Sequence, residues 1–415
     1  MRVLRLTDAV AARLVARRRR GDAAADAVAR RIIADVRKRG DRALVAWTRR
    51  LDGADLAGGL RVPAAELARA RREAPAVFLR SVARAARNIR RVAERQLPRE
   101  WTVRVEPGVR VGQVVRPLGS VGCYVPGGRH PLVSTLLMTV VPAQVAGVRR
   151  IVVACPRPSA EILAAAAWLG VTEVVRVGGA QAVAALAYGT GSVAAVDKIV
   201  GPGNRWVAAA KRAVGADVPV DMVAGPTEVL VLAARGDPRF IAADLVAQAE
   251  HDPDAVALFV TTSRPLAARV GAEVRRQVGA LPASNPARRA LAAHGAILVA
   301  DDAEQAAGFA GRFAAEHLSL PEGRASLARV DAAGAVFLGP FSAQPAGDFA
   351  TGSNHSLPTG GTARFRGGLS AADFVRCVSV QEVSRAGLRR LAPLVRAFAA
   401  AEGLEAHARA VEVRL

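Results

Sequence analysis

At 415 residues the chain is long enough for two or more domains, each with its own core, and an apolar content of 51% is far from that of a disordered chain. The net charge of +22 raises the question of nucleic acid, yet the positives are nearly all arginine, with lysine only at Lys38, Lys198 and Lys211, and apart from Arg17 to Arg20 they are scattered. No apolar run reaches the length of a membrane span, and Cys123, Cys155 and Cys377 form no CxxC pattern, which points to a reducing compartment, the cytoplasm.

Residues 1–24 read as a short helical arm, and helical patterns cover 23–37, 43–50 and 63–94. From Val103 the period changes. Val103, Val105, Val109, Val111, Val114 and Val115 predict strands, and Leu118 to Val125 lead into Pro126-Gly127-Gly128. Strands then alternate with helices, with glycine turns at Gly178-Gly179 and Gly201-Pro202-Gly203-Asn204 opening two of the helices. This order predicts a parallel, doubly wound sheet. Such turns let backbone N–H groups approach phosphates, but no complete GxGxxG follows a strand. The tight turns of any α/β fold would look the same.

A second set of strands, at 229–232, 255–261, 297–299 and 336–338, predicts another α/β sheet, into which the unit from Val125 to Gly225 reads as an insertion. Between its strands, Asp237-Pro238 opens a helix that ends with Gln248 and His251 on one face. The pattern at 303–315 runs as helix directly into Glu316-His317. Residues 347–355 and 358–362 are polar, rich in glycine and read as structureless loops. Residues 378–380 suggest a strand, and 385–401 and 404–410 are helical.

Imidazole and carboxylate suit zinc, and Gln248, His251, Asp348 and His407 are candidates for an open, thiolate-free site. Glu316-His317 would then supply a general base and a proton shuttle. A polar helix end, a turn aspartate and a surface histidine on a tail helix would leave the same pattern, and spacing alone favours this plainer reading.

Long, ordered stretches add to these residues: PLGSVGCYVPGG, GGAQAVAALAYG, DKIVGPGNRWV, AGPTEVLVLA, DLVAQAEHDPD, EHL, AGDFATGSNHSLPTGGTARF, SVQEVS and AEGLEAHARAV. From about Ala29 to the C-terminus the chain resembles the histidinol dehydrogenase family. The resemblance implies an α/β fold of two Rossmann-like, incomplete dinucleotide-binding parallel-sheet domains with helical N- and C-terminal tail segments. It implies one Zn2+ per subunit, held by Gln248, His251, Asp348 and His407. Glu316 would activate water, with His317 as its proton-transfer partner. Tyr124, Gln181 and Asn204 would contact NAD, and Thr227, Gln248, His251, His317, Asp348, Glu402 and His407 would contact L-histidinol.

The expected organisation is an N-terminal arm over 1–24 and a discontinuous first domain over 25–123 and 226–370, which carries the zinc and base residues. An inserted NAD-contacting domain covers 124–225. The tail, 371–415, completes the site of the partner in a homodimer. Against the family pattern, Thr227 replaces a usual serine, Ala315 stands where proline is common, and His130 has no role. The alternatives are a related zinc- and NAD-dependent dehydrogenase of another small alcohol, and a basic nucleic-acid-binding protein. The latter is disfavoured because the few aromatics do not interleave with basic residues.

Overall fold

The computed structural model describes residues 1–17, 22–54, 56, 59–127 and 132–415; Arg18 to Arg20, Gly128 and His130 lie outside them. The chain opens with strand β1 (Arg2–Arg5) and helix α1 (Asp8–Arg17), then four helices, α2 (Ala23–Arg39), α3 (Asp41–Asp52), α4 (Ala64–Glu73) and α5 (Ala76–Gln96). Strands β2 (Trp101–Glu106), β3 (Val109–Pro117) and β4 (Ser120–Tyr124) follow. The alternating part runs α6 (Val133–Val145), β5 (Arg150–Ala154), α7 (Ala160–Trp168), β6 (Glu173–Val175), α8 (Gly179–Tyr188), β7 (Ile199–Val200) and α9 (Arg205–Val214). Next come β8 (Glu228–Leu232), α10 (Pro238–Ala249), β9 (Val256–Thr261), α11 (Arg264–Ala280), α12 (Ala287–Ala293) and β10 (Ala296–Val299). Then α13 (Ala303–Phe313), β11 (His317–Leu320), α14 (Arg324–Leu327), β12 (Ala335–Leu338) and α15 (Gln344–Phe349) lead to the tail, β13 (Val375–Val383), α16 (Arg385–Glu402) and α17 (Glu405–Glu412).

Two parallel sheets organise these elements. The larger has strand order β1-β10-β9-β8-β11-β12 and the smaller β6-β5-β4-β7. Both are covered on two faces, which is why their strands read as continuous apolar runs. In β8, Val229 and Val231 face α10, α11 and α12, while Leu230 faces α1 and α13. In the smaller sheet, Val121 and Cys123 face α4 to α7, and Tyr124 faces α2, α3, α8 and α9. Each such buried valine or leucine contributes roughly 1.5–3 kcal/mol.

The α/β class with two parallel sheets is as expected, but the packing divides the chain differently. The opening residues are not wholly helical, because Arg2–Arg5 pair with β10 at the edge of the larger sheet. Helices α2 to α5 cover the smaller sheet rather than the larger, and β4 is an inner strand of it. An apolar helical stripe shows that a helix is covered, not which sheet covers it. The predicted helix over 63–94 is broken between α4 and α5 by Pro75, and a third, antiparallel sheet of order β13-β3-β2 joins the tail to residues 101–117.

Candidate active site

The larger sheet reverses direction between β8 and β11, since the chain builds β9 and β10 on one side and β11 and β12 on the other. Thr227 immediately precedes β8, and His317 is the first residue of β11, paired in register with Val229. The site therefore gathers at the amino ends of these strands. It is not a helix end, as expected for Glu316-His317: α13 stops at Ala314, a left-handed residue (φ 48°) whose N–H caps Ala310, and two further residues bring His317 into the sheet.

Helix α10 returns to the same edge. Its start is as predicted, with Asp237 accepting from the Arg239 N–H and Pro238 in the first turn. Its end carries Gln248, buried, while His251 lies just beyond with a half-exposed side chain. Asp348 comes from α15, a short helix where an irregular loop was expected. Pro345 at its start and the one-turn spacing of Gln344 and Asp348 were the overlooked signals.

The side chains form one connected network. Thr227 Oγ1 donates to Glu316 Oε2 at 2.5 Å, and the Glu228 N–H donates to the same oxygen at 2.8 Å. Gln248 Nε2 donates in turn to Thr227 Oγ1. His317 Nδ1 lies 3.1 Å from the Glu228 carbonyl and 3.5 Å from Glu316 Oε2. Its Nε2 lies 3.6 Å from Asp348 Oδ1 and 3.5 Å from Gln344 Nε2, which itself donates to Asp348 Oδ2 at 2.5 Å. The carbonyl next to Nδ1 fixes the neutral tautomer, with the proton on Nδ1 and Nε2 the basic nitrogen. His251 Nε2 is 4.0 Å from Asp348 Oδ2.

The charges follow from this geometry. Burial opposes a charged His317, but the Glu316 charge and hydrogen bonds to Asp348 and Glu316 outweigh it and raise the ring to about 10. Burial likewise opposes the Asp348 carboxylate, yet its contacts with His317 hold it below the usual range. His355 is pushed down by burial. Burial raises the Cys123 and Cys155 thiols to about 12, which leaves neither as a nucleophile.

Among the described residues no group of three or more His, Cys, Asp or Glu side chains is placed to hold a metal. Gln248, His251 and Asp348 nonetheless fit a partial zinc site. Gln248 Oε1 is buried and has no hydrogen-bond partner, an orphan acceptor three residues before His251, whose Nε2 is 4.0 Å from Asp348 Oδ2. Glu402 and His407 are not brought to this cluster. They lie exposed on α16 and α17.

Tyr124, Gln181 and Asn204 gather at the smaller sheet. Its strand order reverses between β4 and β7, which opens a crevice at the carboxyl ends of those two strands. Tyr124 ends β4, and its hydroxyl accepts from the Gly179 N–H at 3.1 Å, at the start of α8. Asn204 follows β7 and caps α9 by accepting from the Trp206 and Val207 N–H groups. Gly201 (φ 113°) approaches so closely that a Cβ there would lie 2.1 Å from the Tyr124 carbonyl oxygen. Gln181 Oε1 is a second buried orphan acceptor. Beneath this turn, the buried Lys211 bonds Asp221 and donates to the Gly201 carbonyl at 2.8 Å.

Gln344 and His355 were missed by sequence reasoning. Neither has a motif of its own, and only the helical spacing of Gln344 and Asp348 pointed to the first.

A family model described as histidinol dehydrogenase matches residues 15–415. The chain is 49% identical to the histidinol dehydrogenase of Geobacillus kaustophilus over 392 residues, and 47% identical to that of Halalkalibacterium halodurans over 392 residues. Each alignment covers 92% of both chains. The crystal structure of histidinol dehydrogenase from Elizabethkingia anophelis superposes with a TM-score of 0.93 at 33% identity, covering 100% of this chain and 98% of that one. With this agreement over nearly its full length, the chain belongs to the histidinol dehydrogenase family.

Proposed function

We propose that the chain oxidises L-histidinol through bound L-histidinaldehyde to L-histidine, with two NAD+ as hydride acceptors and one zinc per subunit. The observation that carries this reading is the convergence of Thr227, Gln248, Glu316, His317 and Asp348 into one hydrogen-bonded cluster, beside an unpartnered Gln248 oxygen. Gln248, His251 and Asp348 would hold the zinc, with His407 of a second copy as the remaining ligand. Bound zinc would orient and polarise the alcohol oxygen and, by drawing on the Asp348 charge, ease the proton from His317.

His317 then takes the alcohol proton on Nε2, the nitrogen left basic by its Nδ1 contact with the Glu228 carbonyl. Tyr124, Gln181 and Asn204 would hold NAD+, which when bound would supply the hydride acceptor for each oxidation. Between the two oxidations Glu316 draws a proton from water as it adds to the aldehyde. Thr227 Oγ1 and the Glu228 N–H both donate to Oε2 of Glu316, which leaves Oε1 to face that water. Thr227 steadies the carboxylate, and Glu402 and His407 of the second copy reach the substrate.

A homodimer is supported by surface that one chain leaves uncovered. All six residues of β2 are exposed, including Trp101, Val103 and Val105, and so are Leu394 and Phe398 on α16. The exposed, unpaired Cys377 supports a reducing compartment such as the cytoplasm. No helix among the described residues is long and apolar enough to cross a membrane. The reading is tested by supplying zinc-loaded protein and NAD+ with histidinol and with other small amino alcohols. NADH formation confined to histidinol supports it, and preference for another alcohol transfers the site to that substrate.

A further inference from the structure

Helix α6 carries Pro142 in its interior. Proline has no N–H, so the carbonyl of Met138, four residues earlier, loses its helical donor. Met138 is buried, 1% exposed, where an unsatisfied carbonyl is costly. Asn354 fills the gap. Its Nδ2 donates to the Met138 carbonyl at 2.7 Å, while its Oδ1 accepts from the Ser356 N–H at 2.9 Å, which fixes the orientation of the amide.

Two further ties lie beside this one. His355 Nε2 is 3.3 Å from Thr135 Oγ1 on α6, and its Nδ1 is 3.0 Å from the backbone carbonyl of Asp348. On α5, Asn88 Nδ2 donates to the Ala350 carbonyl at 2.7 Å, and Gly352 packs so tightly that a Cβ would lie 2.4 Å from the Asn88 carbonyl oxygen. Helices α5 and α6 belong to the core of the smaller sheet, whereas α15, which bears Asp348, packs against α10. Residues 350–356 therefore strap the end of α15 to the cofactor side of the molecule.

We propose that Asn354 is a positioning residue: by occupying the carbonyl that Pro142 frees, it anchors the strap, holds Asp348 in place and sets the affinity of the metal site. This rests on the zinc reading above. The competing role is purely structural, in which Asn354 does no more than satisfy a buried carbonyl.

The two roles separate in a double substitution. Pro142→Ala returns an N–H to position 142 and gives Met138 its helical donor back, but leaves the strap untied when Asn354 is absent. Zinc dissociation constants, measured on the full-length protein by chelator competition, are compared with melting temperatures. Asn354→Ala should weaken zinc by about 10- to 100-fold, the range for residues that orient metal ligands, and lower the melting temperature. Adding Pro142→Ala should recover the melting temperature and leave zinc weak. Asn354→Asp, which keeps the Ser356 bond and loses the donor, should also weaken zinc, and serves where the alanine variant folds poorly. Zinc affinity within twofold of wild type in the Asn354 variants, or recovered together with the melting temperature in the double variant, overturns the proposal. A failure of the zinc reading shows separately: a wild-type chain without zinc, or an Asp348→Asn variant that binds it as tightly, overturns both.

Discussion

Thr227 stands between Gln248 and Glu316, accepting a hydrogen bond from the amide of one and donating its own, at 2.5 Å, to the carboxylate of the other. One hydroxyl thus couples the proposed metal ligand to the proposed base. Thr227→Val keeps the shape and removes both bonds, leaving a buried donor and a carboxylate short of a partner. It should lower kcat/KM for histidinol by about 100-fold, as loss of a group aligning an acid–base residue does. Thr227→Ser should stay near wild type. Steady-state kinetics of the two variants checks this, and equal activity of Val and Ser would remove Thr227 from the machinery.

Glu316→Gln keeps the size of the side chain and an oxygen that can accept from Thr227 and the Glu228 N–H. It should retain zinc, but lower histidinaldehyde oxidation by about 100- to 10,000-fold through loss of the base. NADH production from histidinaldehyde, with metal content measured on the same sample, tests the assignment. A variant that oxidises the aldehyde at the wild-type rate would show that Glu316 is not the base.

The exposed positions of Glu402 and His407 lead to a test by subunit exchange. His251→Asn and His407→Asn should each be inactive and poor in zinc. When the two are mixed and exchanged, heterodimers contain one site with all its ligands, and activity should return. Absence of activity after verified exchange would contradict a site shared between chains.

Asp244 on α10 gives the structure a pH dependence of its own. Burial raises its carboxyl to about 6, against the bonds it accepts from Gln344 and Ser319. A carboxyl whose folded value is raised favours the folded state while protonated. Its contribution is therefore full below the ordinary value near 3.8 and is lost as pH rises to about 6. Above that range the charged group costs about 3 kcal/mol. Asp244→Asn should be more stable than wild type at pH 8, with the difference vanishing toward pH 4; urea unfolding at the two pH values measures it. A pH-independent difference would remove Asp244 as its source.

What the sequence discloses depends on how local the signal is. Asp237-Pro238 announces α10 because capping and proline act within one turn, and Gly178, Gly201 and Asn204 mark turns for the same reason. The strand beginning at His317 was hidden because Ala314 takes the left-handed position that glycine usually fills at a helix end. Arg2–Arg5 is too short and too charged to read as a strand, and becomes one only by pairing with β10. The cover of the smaller sheet by α2 to α5 is a long-range choice that helical periodicity does not encode. The site residues were legible mainly through resemblance: no spacing connects Thr227, Glu316 and Asp348, which the sheet edge unites from three distant segments. Asn354 was hidden for a related reason, since its partner is a carbonyl freed by a proline more than two hundred residues away.

In the proposed reaction one zinc-dependent site performs both oxidations. Its most direct measurement counts NADH formed per histidinol consumed, before and after removal of metal by a chelator and after zinc is restored. Two NADH per histidinol are expected, with L-histidine as product, and activity lost with the metal and recovered with zinc. One NADH per histidinol with free aldehyde as product, or full activity in metal-free protein, would contradict it.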